Sequence, residues 1–323
     1  MSERGPVSAP APAGDRAEPR LGSLLGAGVI AAGLYLAPHY APALLPLAIV
    51  SPLPLALQRL GSGVGSAALA TVLAAALVGA VLSPGLAAWY LAVLVAPALL
   101  IAESLARGRG ILRGCGWAFG LLVAETSAAL FFASGALAER ILAPLEDLRS
   151  EAFLKELTAG GVPAERVSAW TEQIGTLHDA MAIVFPAAYV IAGALLVLAN
   201  AALLRMYLLR RDPGWLEDGE FERVRWPLGL VAAFLLAGGA VAVPAARPAA
   251  YNLLLVVSFF FALQGLAVVG FYARRLAGPP LLRAVVVVLV LANPWAPQIL
   301  ALLGLFDNWF DFRKWAEPPK EGD

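Results

Sequence analysis

The chain has very few cysteines and histidines, the residues on which disulfide-bonded, metal-binding and thiol-dependent proteins rely. Cys115 is the only cysteine among 323 residues, so no disulfide can form within the chain. It lies in an apolar segment, where a single cysteine behaves as a small core residue and not as an activated thiol. His39 and His178 are the only histidines. His178 adjoins Asp179 and resembles a metal-binding pair only superficially, so we expect neither a metal site nor a cofactor.

Charged residues are also scarce, at 14% of the chain, and the 23 basic and 23 acidic side chains leave no net charge. A chain without a basic surplus is not typical of proteins that bind nucleic acid, so we expect no such partner. Catalytic motifs are missing as well. The sequence has no Walker-type phosphate loop, no Gly-x-Ser-x-Gly, no His-Glu-x-x-His and no pair of aspartates inside an apolar segment. We therefore expect that the protein is not an enzyme.

Apolar residues, in contrast, make up 60% of the chain, and the mean hydropathy is +0.77. The charges are gathered into clusters between long apolar runs, whereas a soluble domain of this length needs a polar surface. A membrane span needs about 20 mostly apolar residues. Alternation with period two is absent, which favours helices. The candidate spans are 21–38, 41–58, 64–82, 86–103, 111–135, 180–204, 227–245, 252–273 and 281–305.

The distribution of Lys and Arg predicts how the chain crosses the bilayer. With a cytoplasmic N-terminus, most basic residues fall in loops on the inner side, as the positive-inside rule favours. Arg313 and Lys314, just past the last segment, also favour the cytoplasm. Asn293, Pro294 and Pro297 interrupt that segment, which permits a broken or re-entrant helix. We expect an all-α, multi-pass transmembrane helical bundle of eight or nine spans in the bacterial inner membrane, with the side of the C-terminus open.

The segment boundaries divide the chain into five regions. They are a disordered cytoplasmic tail (1–20), spans one to five (21–135), an extracytoplasmic insert (136–178), spans six to nine (179–306) and a polar C-terminal tail (307–323). In the insert, Gly160-Gly161 separates two runs with apolar residues at helical spacing, which predicts two amphipathic helices. We interpret the insert as a helical hairpin on the bundle or the lipid surface. The alternative is a lid over a ligand or a surface that docks a partner.

Several stretches resemble known families of membrane proteins. The tail GLFDNWFDFRK, residues 304–314, resembles the C-terminal signature of the YybS-like family of bacterial integral membrane proteins. Asn252 opens a helix that later carries Gln-Gly-Leu-Ala at 264–267, which supports this resemblance. The run Pro-Leu-Pro-Leu-Ala at 52–56, followed by Arg-Leu-Gly at 59–61, is similar to the S components of energy-coupling-factor vitamin transporters. That similarity implies an S-component-like core that binds a small solute.

The polar residues inside apolar segments are the candidate ligand-binding residues. A charged side chain at mid-membrane costs about 2.5 to 3.5 kcal/mol, and Glu125 lies near the middle of the fifth segment. It is either a proton-handling, cation-handling or ligand-contacting carboxylate, or a protonated side chain hydrogen-bonded to its surroundings. Four amides in or near spans either line a cavity or join helices by hydrogen bonds. They are Asn200, Asn252, Gln264 and Asn293.

Two classes of function remain open. The first is a solute-binding or transport subunit, with Glu125, Gln264 and nearby amides lining a cavity between broken helices. The second is a non-transporting scaffold or assembly factor in the membrane that docks a protein partner. Its docking surface is then the insert, through Trp170, or the tail, through Asp307, Asp311 and Arg313.

Overall fold

The fold is described by a computed structural model for residues 21–216, 221–275, 293 and 295–316, and these ranges contain helices and loops but no strand. The α-helices are α1 (Leu21–Tyr40), α2 (Leu45–Val50), α3 (Leu53–Val81), α4 (Pro84–Trp89), α5 (Ala96–Ala106), α6 (Ile111–Asp147), α7 (Glu151–Ala159), α8 (Ala164–Arg211), α9 (Leu228–Ala240), α10 (Arg247–Arg275) and α11 (Ala296–Phe310). A π-helical turn, Tyr90–Val95, joins α4 to α5. Short 3₁₀ turns lie at Pro42–Leu44, Pro213–Trp215, Phe221–Arg223 and Phe312–Ala316.

Five helical segments are long and apolar enough to cross a membrane. They are Gly22–Tyr40, Pro42–Val81, Pro84–Ala106, Ala164–Arg211 and Arg247–Arg275. The expected all-α membrane fold is therefore confirmed. The expected number of eight or nine spans stays a prediction, because the tail 1–20 and much of the segment 281–305 lie outside the described residues.

The chain divides into two compact units. Unit 1 contains Met1–Glu125 and Ala192–Asp218, and unit 2 contains Thr126–Ile191 and Gly219–Asp323. Helix α6 has residues in both units, and so does α8, because the residue ranges that define the units divide each of these helices. The five regions expected from the apolar segments stay a prediction.

Unit 1 has an apolar interior in which small residues allow helices to pack closely. Ala31 of α1 and Ala70 and Ala74 of α3 are fully buried in one cluster. Tyr90 is buried in the same cluster, which joins α1 and α3 to the π-helical turn. A second cluster packs α5 and α6 against the C-terminal part of α8. Small residues at such interfaces let backbones approach, as expected for helices that associate in lipid.

Helix α3 is broken within its length at Gly63, where φ is 87° and ψ is 179°. This conformation strains any residue with a Cβ and is accessible to glycine. Gln58 Nε2 donates a hydrogen bond of 2.6 Å to Ser66 Oγ across the break. The two apolar segments expected at 41–58 and 64–82 therefore meet at a glycine kink, without a separate loop between them.

In unit 2, three helices are arranged so that several chain ends lie together. A short turn joins α9 to α10, so these helices form an antiparallel hairpin. Helix α11 runs in the same direction as α10, because Gln264 contacts Asp307 and, further along both elements, Tyr272 contacts Phe312. The segment before α9, the end of α10 and the end of α11 consequently gather at one end, which we call the basic end of unit 2.

The expected insert, 136–178, is continuous with the helices that flank it. Helix α6 runs without interruption to Asp147, and α8 begins at Ala164 and continues to Arg211. Only the short α7 lies between them. Ser150 begins α7 as its N-cap, accepting a hydrogen bond of 3.3 Å from the backbone N–H of Phe153. The expected helical hairpin is thus built mainly from extensions of two longer helices.

Candidate functional site

The tail turns back onto α10 immediately after α11. Helix α11 ends at Phe310, and Asp311 follows with φ 44° and ψ 63°. Aspartate tolerates this left-handed conformation better than most residues that carry a Cβ. Tyr272 Oη then donates a hydrogen bond of 2.5 Å to the backbone carbonyl of Phe312. The turn at Asp311 thereby holds the 3₁₀ segment Phe312–Ala316 against the end of α10.

Asp307 is the centre of a buried polar cluster at the basic end. Its side chain is completely removed from solvent. Its Oδ2 accepts hydrogen bonds from Gln264 Nε2 at 2.9 Å and from Arg313 Nη1 at 3.0 Å. Its Oδ1 accepts one of 3.2 Å from the backbone N–H of Phe312. A buried carboxylate with a cation and several donors is compensated for the loss of water.

The cluster continues into the segment before α9. Gln264 Oε1 accepts a hydrogen bond of 3.0 Å from the backbone N–H of Trp226, whose indole N–H donates to the carbonyl of Phe260 at 2.7 Å. Arg313 Nη2 donates to the carbonyl of Val224 at 3.0 Å. Gln264 and Arg313 therefore tie the tail, α10 and residues 224–226 together.

Close packing of α10 and α11 allows this cluster to form. A Cβ added to Gly265 would overlap the carbonyl oxygen of Leu300, and one added to Gly304 would overlap that of Phe261. The two helices therefore approach through paired glycines, in the manner of small-residue contacts in membranes. This approach brings Gln264 within hydrogen-bonding distance of Asp307.

The charges around the cluster are nearly balanced. Arg225 pairs with Asp311 and lies 3.9 Å from Asp307 Oδ2, and Lys314 Nζ lies 3.2 Å from Asp311 Oδ2. Burial lowers the pKa of the Arg313 guanidinium; Asp307 opposes this shift and Arg225 adds to it. Arginine has so high an intrinsic pKa that Arg313 stays charged near neutral pH. The cluster is accordingly a network of ion pairs and hydrogen bonds, and its main polar atoms already have partners within the protein.

The cluster brings together four of the residues selected from the sequence: Gln264, Asp307, Asp311 and Arg313. Arg225 and Trp226 were missed by the sequence analysis. The signal that could have indicated them is the basic and aromatic run immediately before Pro227, on the side expected to be cytoplasmic, where Arg313 is also favoured.

Asn252 lies elsewhere, at the contact of α10 with α8. Its Oδ1 accepts a hydrogen bond of 2.8 Å from the backbone N–H of Ala187, and its Nδ2 donates to the carbonyl of Ile183 at 2.7 Å. Ile183 and Ala187 are spaced to bond each other in a regular helix. The Asn252 amide therefore bonds two backbone groups one turn apart in α8, next to Pro186, and it joins two helices.

The other two amides have local partners. Asn200 is buried and its Nδ2 donates to the carbonyl of Leu196, one turn earlier in α8, at 3.0 Å. Asn293 Oδ1 accepts a hydrogen bond of 2.9 Å from the backbone N–H of Trp295, just before α11. Within unit 2, Gln264, Asn252 and Asn293 thus have separate partners and do not share one polar group.

Glu125 lies on α6 and is partly buried. Its Oε2 is shielded from solvent and has no hydrogen-bond partner among the residues that the structure describes. A carboxylate oxygen in this position needs a proton, a cation or a ligand donor to offset the loss of water.

Trp170, the residue selected in the insert, packs at the junction of α7 and α8. Its ring centroid lies 6.4 Å from that of Phe153, and its indole N–H donates to the carbonyl of Leu148 at 3.4 Å. His178 lies nearby in sequence, with Nε2 3.6 Å from Glu146 Oε1 and Nδ1 3.2 Å from Asp179 Oδ1. Across the described ranges, no three His, Cys, Asp or Glu residues are grouped to hold a metal ion.

An ion cluster in unit 1 lies at the end of α5. Glu103 pairs with Arg107 at 2.5 Å, as its position one helical turn away indicates. Arg59, which the sequence did not single out for this role, also lies 2.5 Å from Glu103. The second cation links α3 to α5 and places Glu103 between two arginines.

The apolar helices and the buried polar cluster define a helical, multi-span integral membrane protein. A family model described as Predicted membrane protein (DUF2232) matches residues 29–308, which is most of the chain, and the chain belongs to that family. The match includes Asp307 and ends before Asp311. This description states residence in a membrane and names no activity. A search of curated proteins and a search of solved structures each returned no match.

Proposed function

We propose that this membrane protein binds a small solute, as an S-component-like binding or transport subunit, and that Glu125 handles a charge of that solute or of a coupled cation. The observation that carries the proposal is the buried Oε2 of Glu125, which lacks a partner among the described residues. Ionisable side chains inside membrane helices are rare because they are costly, and they commonly mark proton, ion or substrate sites.

Breaks in the helices of unit 1 support the same proposal. Ser51 and Tyr90 are both fully buried, and the Tyr90 hydroxyl has no hydrogen-bond partner among the described residues. Ser51 lies between α2 and α3, and Tyr90 begins the π-helical turn. Interrupted membrane helices expose backbone groups that transporters use to bind substrates, and π-helical turns are frequent at functional sites. Unit 1 thus has polar groups and irregular backbone inside an apolar interior.

The test is a search for a molecule that remains bound through purification. The full chain is purified in native-lipid nanodiscs, and small molecules are extracted and identified by mass spectrometry. The variant Glu125→Gln is compared with Glu139→Gln, which changes an exposed acid on the same helix. We expect one solute to be enriched in the wild type and in Glu139→Gln and to fall about tenfold in Glu125→Gln, equivalent to about 1.4 kcal/mol of binding.

Two outcomes contradict the proposal. One is the absence of any enriched solute in the wild type. The other is equal retention by Glu125→Gln, which would reduce Glu125 to a packed, protonated side chain. Thermal unfolding of each variant is recorded alongside, so that loss of the solute is not confused with loss of the fold.

A second function, docking of a protein partner, is favoured by the aromatic surface of the tail. Asp307 and Arg313 hold the tail in place, yet several large aromatic side chains at the end of α11 and in the tail remain exposed. They are Phe306, Trp309, Phe310 and Trp315. Aromatic residues are enriched both at protein interfaces and at the membrane boundary. A scaffold or assembly factor would use such a rigid aromatic surface to hold a neighbouring membrane protein.

Crosslinking in cells separates these two functions. A photo-reactive benzoylphenylalanine replaces Trp309, and in a matched control it replaces Leu236, which is exposed on α9. Docking predicts one discrete crosslinked protein from position 309 and none from position 236, with no change when Glu125→Gln is added. The docking proposal fails if both positions give the same pattern or if position 309 gives no protein adduct.

A further inference from the structure

A cleft at the basic end of unit 2 lies between α10 and the folded-back tail. Its volume is about 530 Å³, within the range of small-molecule sites, and its lining is almost wholly apolar. Val268, Val269 and Leu303 form its walls, and Phe312 and Trp315 close one side. The rings of these two aromatic residues lie 5.2 Å apart, edge to face.

Arg275 lies at the mouth of this cleft, as the last residue of α10. Its guanidinium lies 3.6 Å from the centroid of the Phe271 ring, and Nη1 makes one long hydrogen bond of 3.5 Å to the Phe271 carbonyl. In the part of the chain that the structure describes, no carboxylate pairs with it. An arginine fork that makes one long hydrogen bond within the described residues, above an apolar wall, is suited to a phosphate group.

The neighbouring cations differ from Arg275 in this respect. Arg274 Nε lies 2.7 Å from Glu222 Oε1, Arg313 pairs with Asp307, and Lys314 pairs with Asp311. Their charges are partly compensated by protein carboxylates. Among the described residues, Arg275 thus differs from these three cations in having no carboxylate partner.

The cleft has apolar side chains along its length and a cation at one end, which matches the apolar and charged parts of an amphiphile. The apolar part begins near Val268, and Arg275 lies seven residues further along α10, about 10 Å towards the end of the membrane-crossing helix. Trp315 is 71% exposed at the same end, as is typical of aromatic residues at the membrane–water boundary. An acyl chain along Val268 and Leu303 would place a lipid phosphate beside Arg275.

We propose that this cleft is a binding site for one anionic phospholipid, with an acyl chain in the cleft and the phosphodiester on Arg275. Basic pockets between membrane helices on the cytoplasmic side are known to hold anionic headgroups. The site is distinct from Glu125 and does not depend on solute binding. Bound lipid would cover the cleft and fix the folded-back tail against α10.

Native mass spectrometry of the full chain tests this site. The purified protein is titrated with dioleoyl phosphatidylglycerol and, separately, with dioleoyl phosphatidylcholine, so that only the headgroup charge differs. We expect one phosphatidylglycerol to be retained in preference to phosphatidylcholine. Arg275→Gln should reduce that preference about fivefold, the effect of one cation near an anionic lipid surface.

Two further variants make the result decisive. Arg210→Gln removes an exposed arginine at the end of α8 and should leave the preference unchanged. Val269→Trp fills the cleft and should lower retention of both lipids, whereas Arg275→Gln affects chiefly phosphatidylglycerol. The proposal is overturned if phosphatidylcholine is retained equally by the wild type, if Arg275→Gln keeps the preference, or if Arg210→Gln loses it to the same degree.

Discussion

Arg313 Nη1 lies 3.0 Å from Oδ2 of Asp307, and both side chains are buried. Removing one member of a buried ion pair leaves a charge without its partner, which costs about 3 to 5 kcal/mol. We expect Asp307→Asn to lower the free energy of unfolding by about 3 kcal/mol, as measured by tryptophan fluorescence during thermal or denaturant unfolding in detergent.

The double variant Asp307→Asn with Arg313→Gln is the critical comparison for this pair. It should lose less than the sum of the single variants, with a coupling of about 0.5 to 3 kcal/mol. Asp311→Asn, which affects a more exposed carboxylate, should cost about 1 kcal/mol or less. Additive losses in the double variant would show that the two side chains stabilise the tail independently.

The contact of Gly265 with Gly304 gives a second prediction. Gly304→Ala would place a methyl group against the carbonyl oxygen of Phe261, so α10 and α11 would have to move apart. Overpacking of this kind costs about 1 to 3 kcal/mol. Unfolding in detergent should show this loss. Gly238→Ala is the matched control, because nothing lies within 4 Å of a Cβ at that position in α9. Equal stability of the two variants would argue against a close glycine contact.

The main features of the fold could be predicted from the sequence because a backbone inside the hydrocarbon of a membrane must make its hydrogen bonds within the protein. Long apolar runs between charge clusters are sufficient to predict membrane helices. The pairing of Glu103 with Arg107 was also predictable, because it depends on spacing along one helix. Features that depend on the spacing of residues along one helix can therefore be predicted without a structure.

The partners of the buried polar groups could not be predicted in this way. Gln264 meets Asp307 across 43 positions of sequence, and their contact depends on where Gly265 and Gly304 allow two helices to touch. Asp307 lies in a sequence segment whose polarity favours exposure, yet Arg313 compensates its charge and it is buried. Apolarity in a sequence predicts burial better than polarity predicts exposure, because a charge with a partner can also be buried.

The direction of α11 predicts the side of the C-terminus. Because α10 and α11 run the same way, Lys314 should lie on the same side of the membrane as Arg275. Single cysteines are introduced by Lys314→Cys, Arg275→Cys and Lys155→Cys in a Cys115→Ser background and treated with a membrane-impermeant maleimide in intact cells. We expect labelling from outside at position 155 alone, with positions 275 and 314 reacting after permeabilisation.

The labelling pattern distinguishes the orientation of the whole chain in the membrane from the relative direction of α10 and α11. Inversion of the whole chain would exchange the labelling of position 155 with that of the other two and would leave the relation of α10 to α11 intact. Labelling of position 314 together with position 155, and apart from position 275, would contradict the parallel arrangement of α10 and α11.

Asn252 gives the last prediction, because its amide bonds two backbone groups of α8. Asn252→Leu would leave the N–H of Ala187 and the carbonyl of Ile183 without their present partner, which costs about 1 to 3 kcal/mol for each group that stays unsatisfied. If these two groups bond each other within α8, the cost falls. Asn200→Leu is the control, because Asn200 donates only within its own helix and should cost about 1 kcal/mol or less. Hydrogen exchange of the Ala187 amide distinguishes the cases: faster exchange in Asn252→Leu supports the bond from this amide to Asn252, and unchanged exchange with unchanged stability argues that the Asn252 contact is incidental.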